Sequence, residues 1–404
     1  MKPDRTTPVY LDNNASTRVD PRVVAAMLPF FSEHFGNASS MHSLGCPAAD
    51  AVKTARRQVQ ELVGASFDSE IVFTSGGTES DNTAILSALE TQTGRDEVVT
   101  SMVEHPAVLA LCEFLQKRRG VKVHHLPVDL RGRLDMHAYR QALGCRTAVV
   151  SLMWANNETG TIFPVAQLAS MAHEAGALFH TDAVQAAGKL AMNLQDTAID
   201  MASLSAHKFH GPKGIGALYV RKGVRLAPLL RGGRQERGRR AGTENVPAIA
   251  GFGKAAELAA AALDELPRIG ALRDRLQQGL LARVPAATVI GDVENRVPNT
   301  LNIAFKFLES EAILLLLDRR NIAASSGSAC AAGSMEPSHV LRAMKVPYTE
   351  AHGAVRFSFS RENTAGDVDR VLAAMPPIIE KLRNLSPPRS GDDVADPVLK
   401  SSYV

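Results

Sequence analysis

Two alternating periodicities constrain this chain more than any other feature. Apolar, β-rich stretches at residues 70–74, 98–101, 147–153 and 178–180 are separated by segments of amphipathic, helical spacing such as 47–63 and 165–175. Strands that alternate with helices predict an α/β architecture with a mostly parallel sheet. Near residue 245 the texture changes. An alanine-rich stretch at 247–266 reads as one long helix, and a second mixed region runs to about residue 385. At roughly 150 residues per domain, 404 residues with 45% hydrophobic content support about two domains. A large domain followed by a smaller α/β domain is therefore expected. The closing stretch 386–404, SPPRSGDDVADPVLKSSYV, offers little to bury and is expected to be a mobile tail. No internal repeat is present.

Charge and cysteine content narrow the function classes. Charged residues make up 22% of the chain and nearly balance, at a formal net charge of +3. No global field then favours nucleic acid or membrane, and a small-molecule substrate is expected. The N-terminus lacks an apolar core of signal-peptide length, and the longest aliphatic run, 313–317, is far too short to span a bilayer. A cytoplasmic location is expected. The four cysteines, Cys46, Cys112, Cys145 and Cys330, form no CxxC pair, and no His cluster has metal-ligand spacing. Neither a disulfide framework nor an intrinsic metal site is expected. The run 231–240, RGGRQERGRR, holds five arginines but no aromatic residue. Single-strand binders interleave aromatics with charge, so this reads as a glycine-rich loop near a dimer interface and an anionic cofactor.

Four segments follow strand-like stretches, where ligands bind in open α/β sheets. TSGGTESDN at 74–82 places two glycines and a hydroxyl before a helical pattern, which suits an anion at a helix N-terminus. A turn with a capping residue has the same appearance. In FHTDAVQAAG at 179–188, Asp182 lies just past an apolar strand, with Gln185 three residues on. A carboxylate there can keep a pyridine nitrogen protonated, and Gln185 can donate to the ring's phenolic oxygen; a helix cap is the plainer alternative. SLSAHKFHGPKGIG at 203–216 sets Ser205 and His207 beside Lys208, as a Schiff base with pyridoxal phosphate requires. Lys213 is the rival amine, but it sits in a GPKG turn. AASSGSACAAGS at 323–334 surrounds Cys330 with small residues, which predicts a mobile loop carrying a reactive thiol. The other three cysteines read as small buried hydrophobes.

The ordered series YLDNNAST, TSGGTESDN, VEHPAV, WANNETG, HTDAVQ, SAHKFHGPKG, RRAGTEN, SSGSAC and VRFSFSR resembles the cysteine desulfurases of the class-V aminotransferase family over roughly residues 9–385. RGGRQERGRRAGTEN, GSACAAGSMEPSHVLRAM and ESEAILLLL resemble their nitrogen-fixation (NifS) branch. The resemblance implies the pyridoxal-phosphate transferase fold type I, with a large domain at 16–259 and a small one formed by 1–15 and 260–385. It implies that His105 stacks on the ring and shuttles protons, that Asp182 pairs with the ring nitrogen, and that Gln185 contacts the phenolic oxygen. Lys208 would be the Schiff-base lysine, and Gly77, Thr78, Ser205 and His207 would grip the phosphate. Thr243 would reach the phosphate of the neighbouring subunit of a homodimer. Asn157 would lie near phenolic oxygen and substrate, and Arg356 would clamp the substrate carboxylate. The implied reaction turns L-cysteine into L-alanine and leaves a Cys330 persulfide for an iron–sulfur scaffold, in the service of nitrogenase. Any iron–sulfur contact of Cys330 would be transient, with the acceptor. An aminotransferase or lyase without a cysteine loop, a selenocysteine lyase, and a non-catalytic sulfur carrier are the competing readings.

Overall fold

A computed structural model of the chain describes residues 7–326 and 336–385. The expected Cys330 loop and the tail 386–404 lie outside the described residues.

Seven strands form the main sheet: β2 (Ile71–Thr74), β3 (Glu97–Ser101), β4 (Lys122–Leu126), β5 (Thr147–Ser151), β6 (Leu178–Asp182), β7 (Met201–Ser205) and β8 (Gly216–Val220). Their order is β2-β8-β7-β6-β5-β3-β4. β8 runs antiparallel to both of its neighbours, whereas β7-β6-β5-β3-β4 pair in parallel. The carboxyl ends of β2, β3, β5, β6 and β7 therefore open on one rim. β5, β7 and β8 are buried at every position, as expected of strands covered by helices on both faces.

Successive residues serve different cores, because side chains alternate across a strand. Phe73, Val99, Val150, Ala202 and Ala217 join the larger core. Val72, Val98, Val149, Met201 and Leu218 join a second core beneath the helices Gly77–Thr91 and Pro106–Arg119. In the larger core the helix Cys46–Val63 lies against the helix Val246–Ala261, and a Cβ on Gly253 would stand 2.4 Å from the Cα of Ala55. Only glycine permits that approach.

A third core gathers Val9 and Leu11 with residues between Ile269 and Ile379. It packs on the antiparallel sheet of β9 (Ala287–Ile290), β10 (Thr300–Phe305) and β12 (Ala354–Ser358), in the order β12-β10-β9. β1 (Val9–Tyr10) pairs in parallel with β11 (Ile322–Ala323).

Two expectations differ from the structure. The alanine-rich stretch is not one helix: it ends at Ala261, and the chain bends by 50° into the helix Leu266–Arg283. Pro267 opens that second helix, where a missing N–H costs nothing. Cys46 and Cys145 are exposed rather than buried; only Cys112 of the three is a core residue. Cys46 starts a helix and Cys145 lies in the turn before β5, so neither sits on an apolar face. No single described helix is long and apolar enough to cross a membrane.

Candidate active site

A cavity of about 450 Å³ opens on the rim where the parallel strands end. Gly77, Thr78, His105, Asn157, Asp182, Gln185, Ser205, His207, Lys208 and Arg356 all line it. Ten of the twelve residues expected from sequence thus meet in one place. Thr243 is exposed and is not part of this wall. Cys330 lies outside the described residues, although Glu336, Pro337 and Ser338, just beyond that segment, do line the cavity.

Each group arrives by a short local route. β2 runs into the helix Gly77–Thr91, whose first turn is fixed by Ser75 N–H donating to Glu79 Oε2 at 2.8 Å and by Arg240 donating to Glu79 Oε1 at 3.0 Å. A Cβ on Gly77 would come within 2.9 Å of Val184 Cγ2, so the backbone amides of this turn stay close to the cavity. β3 leads to His105, the N-cap of the helix Pro106–Arg119; its Nδ1 accepts from Ala107 N–H at 3.1 Å. In the neutral ring Nε2 then carries the proton. Burial pulls the His105 pKa down, with Lys208 and His339 adding to the effect against the charge of Asp182.

Asp182 is the last residue of β6 rather than a residue beyond it, and it is 8% exposed. Its Oδ1 accepts from Val184 N–H at 2.9 Å, which caps a turn over 184–189 rather than a helix. Burial raises its pKa. Behind it, Asp81 is pushed up by burial and by Asp182, and Asp81 Oδ1 makes no hydrogen bond among the described residues. β7 ends in the short turn Ala206–Lys208, and Lys208 Nζ donates to the carbonyls of Asn14 at 2.8 Å and Ala15 at 3.0 Å. His207 is lowered to about 4 by burial and by Lys208. It is therefore a neutral partner.

Arg356 lies on β12 and is 2% exposed. It donates through Nη2 to Asp12 Oδ1 at 2.6 Å and through Nη1 to the carbonyl of Asn157 at 3.0 Å. Its Nε is buried and makes no hydrogen bond among the described residues. Glu104, beside His105, is fully buried: Oε1 accepts from Ser101 Oγ at 2.6 Å and Met153 N–H at 3.1 Å, while Oε2 has no partner among the described residues. Burial pushes it up to about 8. His339 reaches the Glu104 carbonyl at 2.9 Å.

Sequence reading missed Asn14. Its carbonyl accepts from Gln185 Nε2 at 3.0 Å as well as from Lys208, and its Nδ2 donates to Asn157 O at 3.0 Å and Thr300 Oγ1 at 2.8 Å. The only available signal was its place in YLDNNAST. Asp12, Asp81 and Glu158 were missed in the same way.

These residues fit pyridoxal phosphate. A buried carboxylate suits a protonated ring nitrogen, a helix N-terminus with Ser205 and His207 suits a phosphate, and a lysine lies within the same cavity. The arginine loop is largely committed within the chain: Arg231 pairs with Glu90 at 3.2 Å, Arg240 with Glu79 at 3.0 Å and Arg237 with Asp68 at 4.0 Å. Among the described residues no group of three or more His, Cys, Asp or Glu could hold a metal ion.

Comparison with known proteins agrees with this geometry. The aminotransferase class-V family model matches residues 9–371. A cysteine desulfurase of Gluconacetobacter diazotrophicus is 71% identical over 380 residues, covering 94% of this chain and 95% of that protein. The cysteine desulfurase NifS of Azotobacter vinelandii is 59% identical over 391 residues, 96% of this chain and 97% of that one. A solved structure of a NifS-like protein superposes with a TM-score of 0.86 at 40% identity, covering 94% of this chain and all of that one. By fold, site and sequence, the chain belongs to the cysteine desulfurases of the class-V aminotransferase family, which use pyridoxal phosphate.

Proposed function

We propose that this chain removes sulfur from L-cysteine, releases L-alanine and holds the sulfur as a persulfide on Cys330. The observation that carries the proposal is the meeting of Asp182, Lys208 and Arg356 in one cavity at the ends of β6 and β7 and on β12. Pyridoxal phosphate, when bound, supplies an electron sink that labilises bonds at the substrate's α-carbon.

The chain's own groups do the rest. Gly77, Thr78, Ser205 and His207 hold the phosphate, and Asp182 holds a proton on the ring nitrogen. Gln185 donates to the phenolic oxygen. Arg356 binds the substrate carboxylate, using the guanidinium edge that includes Nε, which has no hydrogen-bond partner among the described residues, with Asn157 beside it. Lys208 Nζ takes the α-proton, and His105 moves protons through Nε2. As the Cys330 thiolate bonds to the substrate sulfur, the Cβ–S bond breaks and the carbon skeleton gains protons to leave as alanine. The sulfur then passes to an acceptor thiol by exchange.

The chain acts as a cytoplasmic homodimer in which Thr243 completes the partner's phosphate site. The large domain spans 16–259 and the small one 1–15 with 260–385, a division consistent with the separate core around Val9, Leu11, Phe305 and Phe357. The acceptor is an iron–sulfur scaffold, and the high identity to NifS favours one that serves nitrogenase.

The test measures alanine and sulfide from L-cysteine with a reductant in the wild type, Lys208→Ala and Cys330→Ala. Loss of both products in both variants is expected. Full activity in Cys330→Ala would refute the persulfide step, and retention in Lys208→Ala would refute the cofactor assignment.

A further inference from the structure

One buried amine has no part in the chemistry above. Lys189 is 6% exposed and follows Gly188, whose φ of +71° reverses the chain. A side chain at residue 188 would strain that turn and approach Phe209 Cβ at 3.1 Å. Beyond the turn, Lys189 Nζ donates to Gln185 Oε1 and to Asn14 Oδ1, the latter at 3.0 Å. Lys189 is not among the residues lining the main cavity. Its route to the reaction is through the amides it holds.

Both partners are amide oxygens, and an amine in either protonation state has at least two N–H bonds to give them. Reversing either amide end for end would turn its NH2 group on an Nζ whose N–H bonds are already directed at both partners. The contact therefore dictates which way each carboxamide faces. In Gln185 the NH2 group points away from Lys189, and one of its N–H bonds goes to the Asn14 carbonyl at 3.0 Å. The other is left for the cavity that Gln185 lines. In Asn14, Oδ1 also accepts from Asn299 Nδ2 at 3.0 Å, and Nδ2 is thereby aimed at Asn157 O and Thr300 Oγ1. Burial, then the charges of Lys208 and Arg356, pull the Lys189 pKa well below the ordinary lysine range.

We propose that Lys189 is a positioning residue that locks the Gln185 carboxamide with its NH2 group toward the cofactor's phenolic oxygen. The proposal rests on the role given to Gln185 above. It makes Lys189 the reason a neutral amide, free to flip in isolation, presents only a donor there.

The test uses purified holoenzyme and compares Lys189→Met, Gln185→Met and the double variant. The readouts are the near-visible absorption maximum of the bound cofactor and the steady-state constants. Lys189→Met and Gln185→Met should displace the maximum in the same direction and to the same extent, and the double variant should add nothing. In each, kcat/KM should fall by about two- to tenfold, the worth of one neutral hydrogen bond. If Gln185→Met moves the maximum and Lys189→Met leaves it in place, the Lys189 proposal falls while the Gln185 reading stands. If Gln185→Met itself moves nothing, the donor reading falls and takes this proposal with it. Should Lys189→Met alone fail to fold, the double variant decides, because it removes both polar partners and leaves no orphaned Gln185 oxygen. A folded double variant with the Gln185→Met spectrum supports the proposal. A double variant that fails to fold while Gln185→Met folds would overturn it.

Discussion

Replacing Glu104 by Gln should change how the protein's stability depends on pH. Glu104 is fully buried beside His105 and is held up to about 8, against an ordinary 4.5. Between those values the native state keeps a proton that the unfolded chain releases. The stability gained is complete below about pH 4.5 and is lost as pH rises through about 8. The slope approaches about 1.4 kcal/mol per pH unit, so the wild type should lose about 3 kcal/mol through this group between pH 5 and pH 7.5. A glutamine keeps Oε1 for Ser101 Oγ and Met153 N–H and stays neutral throughout. Urea titrations of both proteins across that window give the difference, which includes the response of Asp81 and Asp182, both coupled by charge to Glu104. Glu104→Gln should gain on the wild type steadily with pH, by about 3 kcal/mol in all. A difference that stays constant would show that Glu104 is ionised in the native state, and the burial argument would be wrong.

Arg356→Lys keeps the charge but loses the fork, so the KM for L-cysteine should rise by about tenfold to a hundredfold in steady-state assays; an unchanged KM would remove Arg356 from carboxylate binding. Gly253→Ala improves helix propensity yet drives a Cβ to 2.4 Å from the Ala55 backbone. A net loss of about 1–3 kcal/mol in unfolding free energy is expected, and a gain would mean that the two helices separate freely.

What was legible in the sequence was local. Asp182 and Lys208 lie at the ends of β6 and β7, and a strand followed by a turn announces itself through residue order alone. The same holds for Gly77 and Thr78 after β2. Asn14 and Lys189 carry no such signature. Asn14 meets Gln185 across 171 positions and Thr300 across 286, so its role exists only after the chain has folded. Lys189 reads as an ordinary lysine until burial and two amide oxygens single it out. The break at Ala262 was hidden because alanine-rich sequence favours helix on both sides, and the bend follows from how Val246–Ala261 and Leu266–Arg283 pack on different cores. Exposure of Cys46 and Cys145 was equally hidden, since a lone cysteine has no periodicity to betray it.

The pairing of β1 with β11, and of the following residues with β12, sets the order in which the site can be assembled during synthesis. Asn13 donates to the carbonyl of Ser358 across 345 positions. At roughly 5–20 residues per second, the ribosome takes roughly 20–70 s to make that partner. Throughout this interval Asp182 and Lys208 can take their places on a growing sheet, while Asn14 waits without Thr300, Asn299 or Ser358 to hold it. Asn14 is thus fixed in the pocket wall only after partners 285 to 344 positions downstream have been made, long after the strands that carry Asp182 and Lys208.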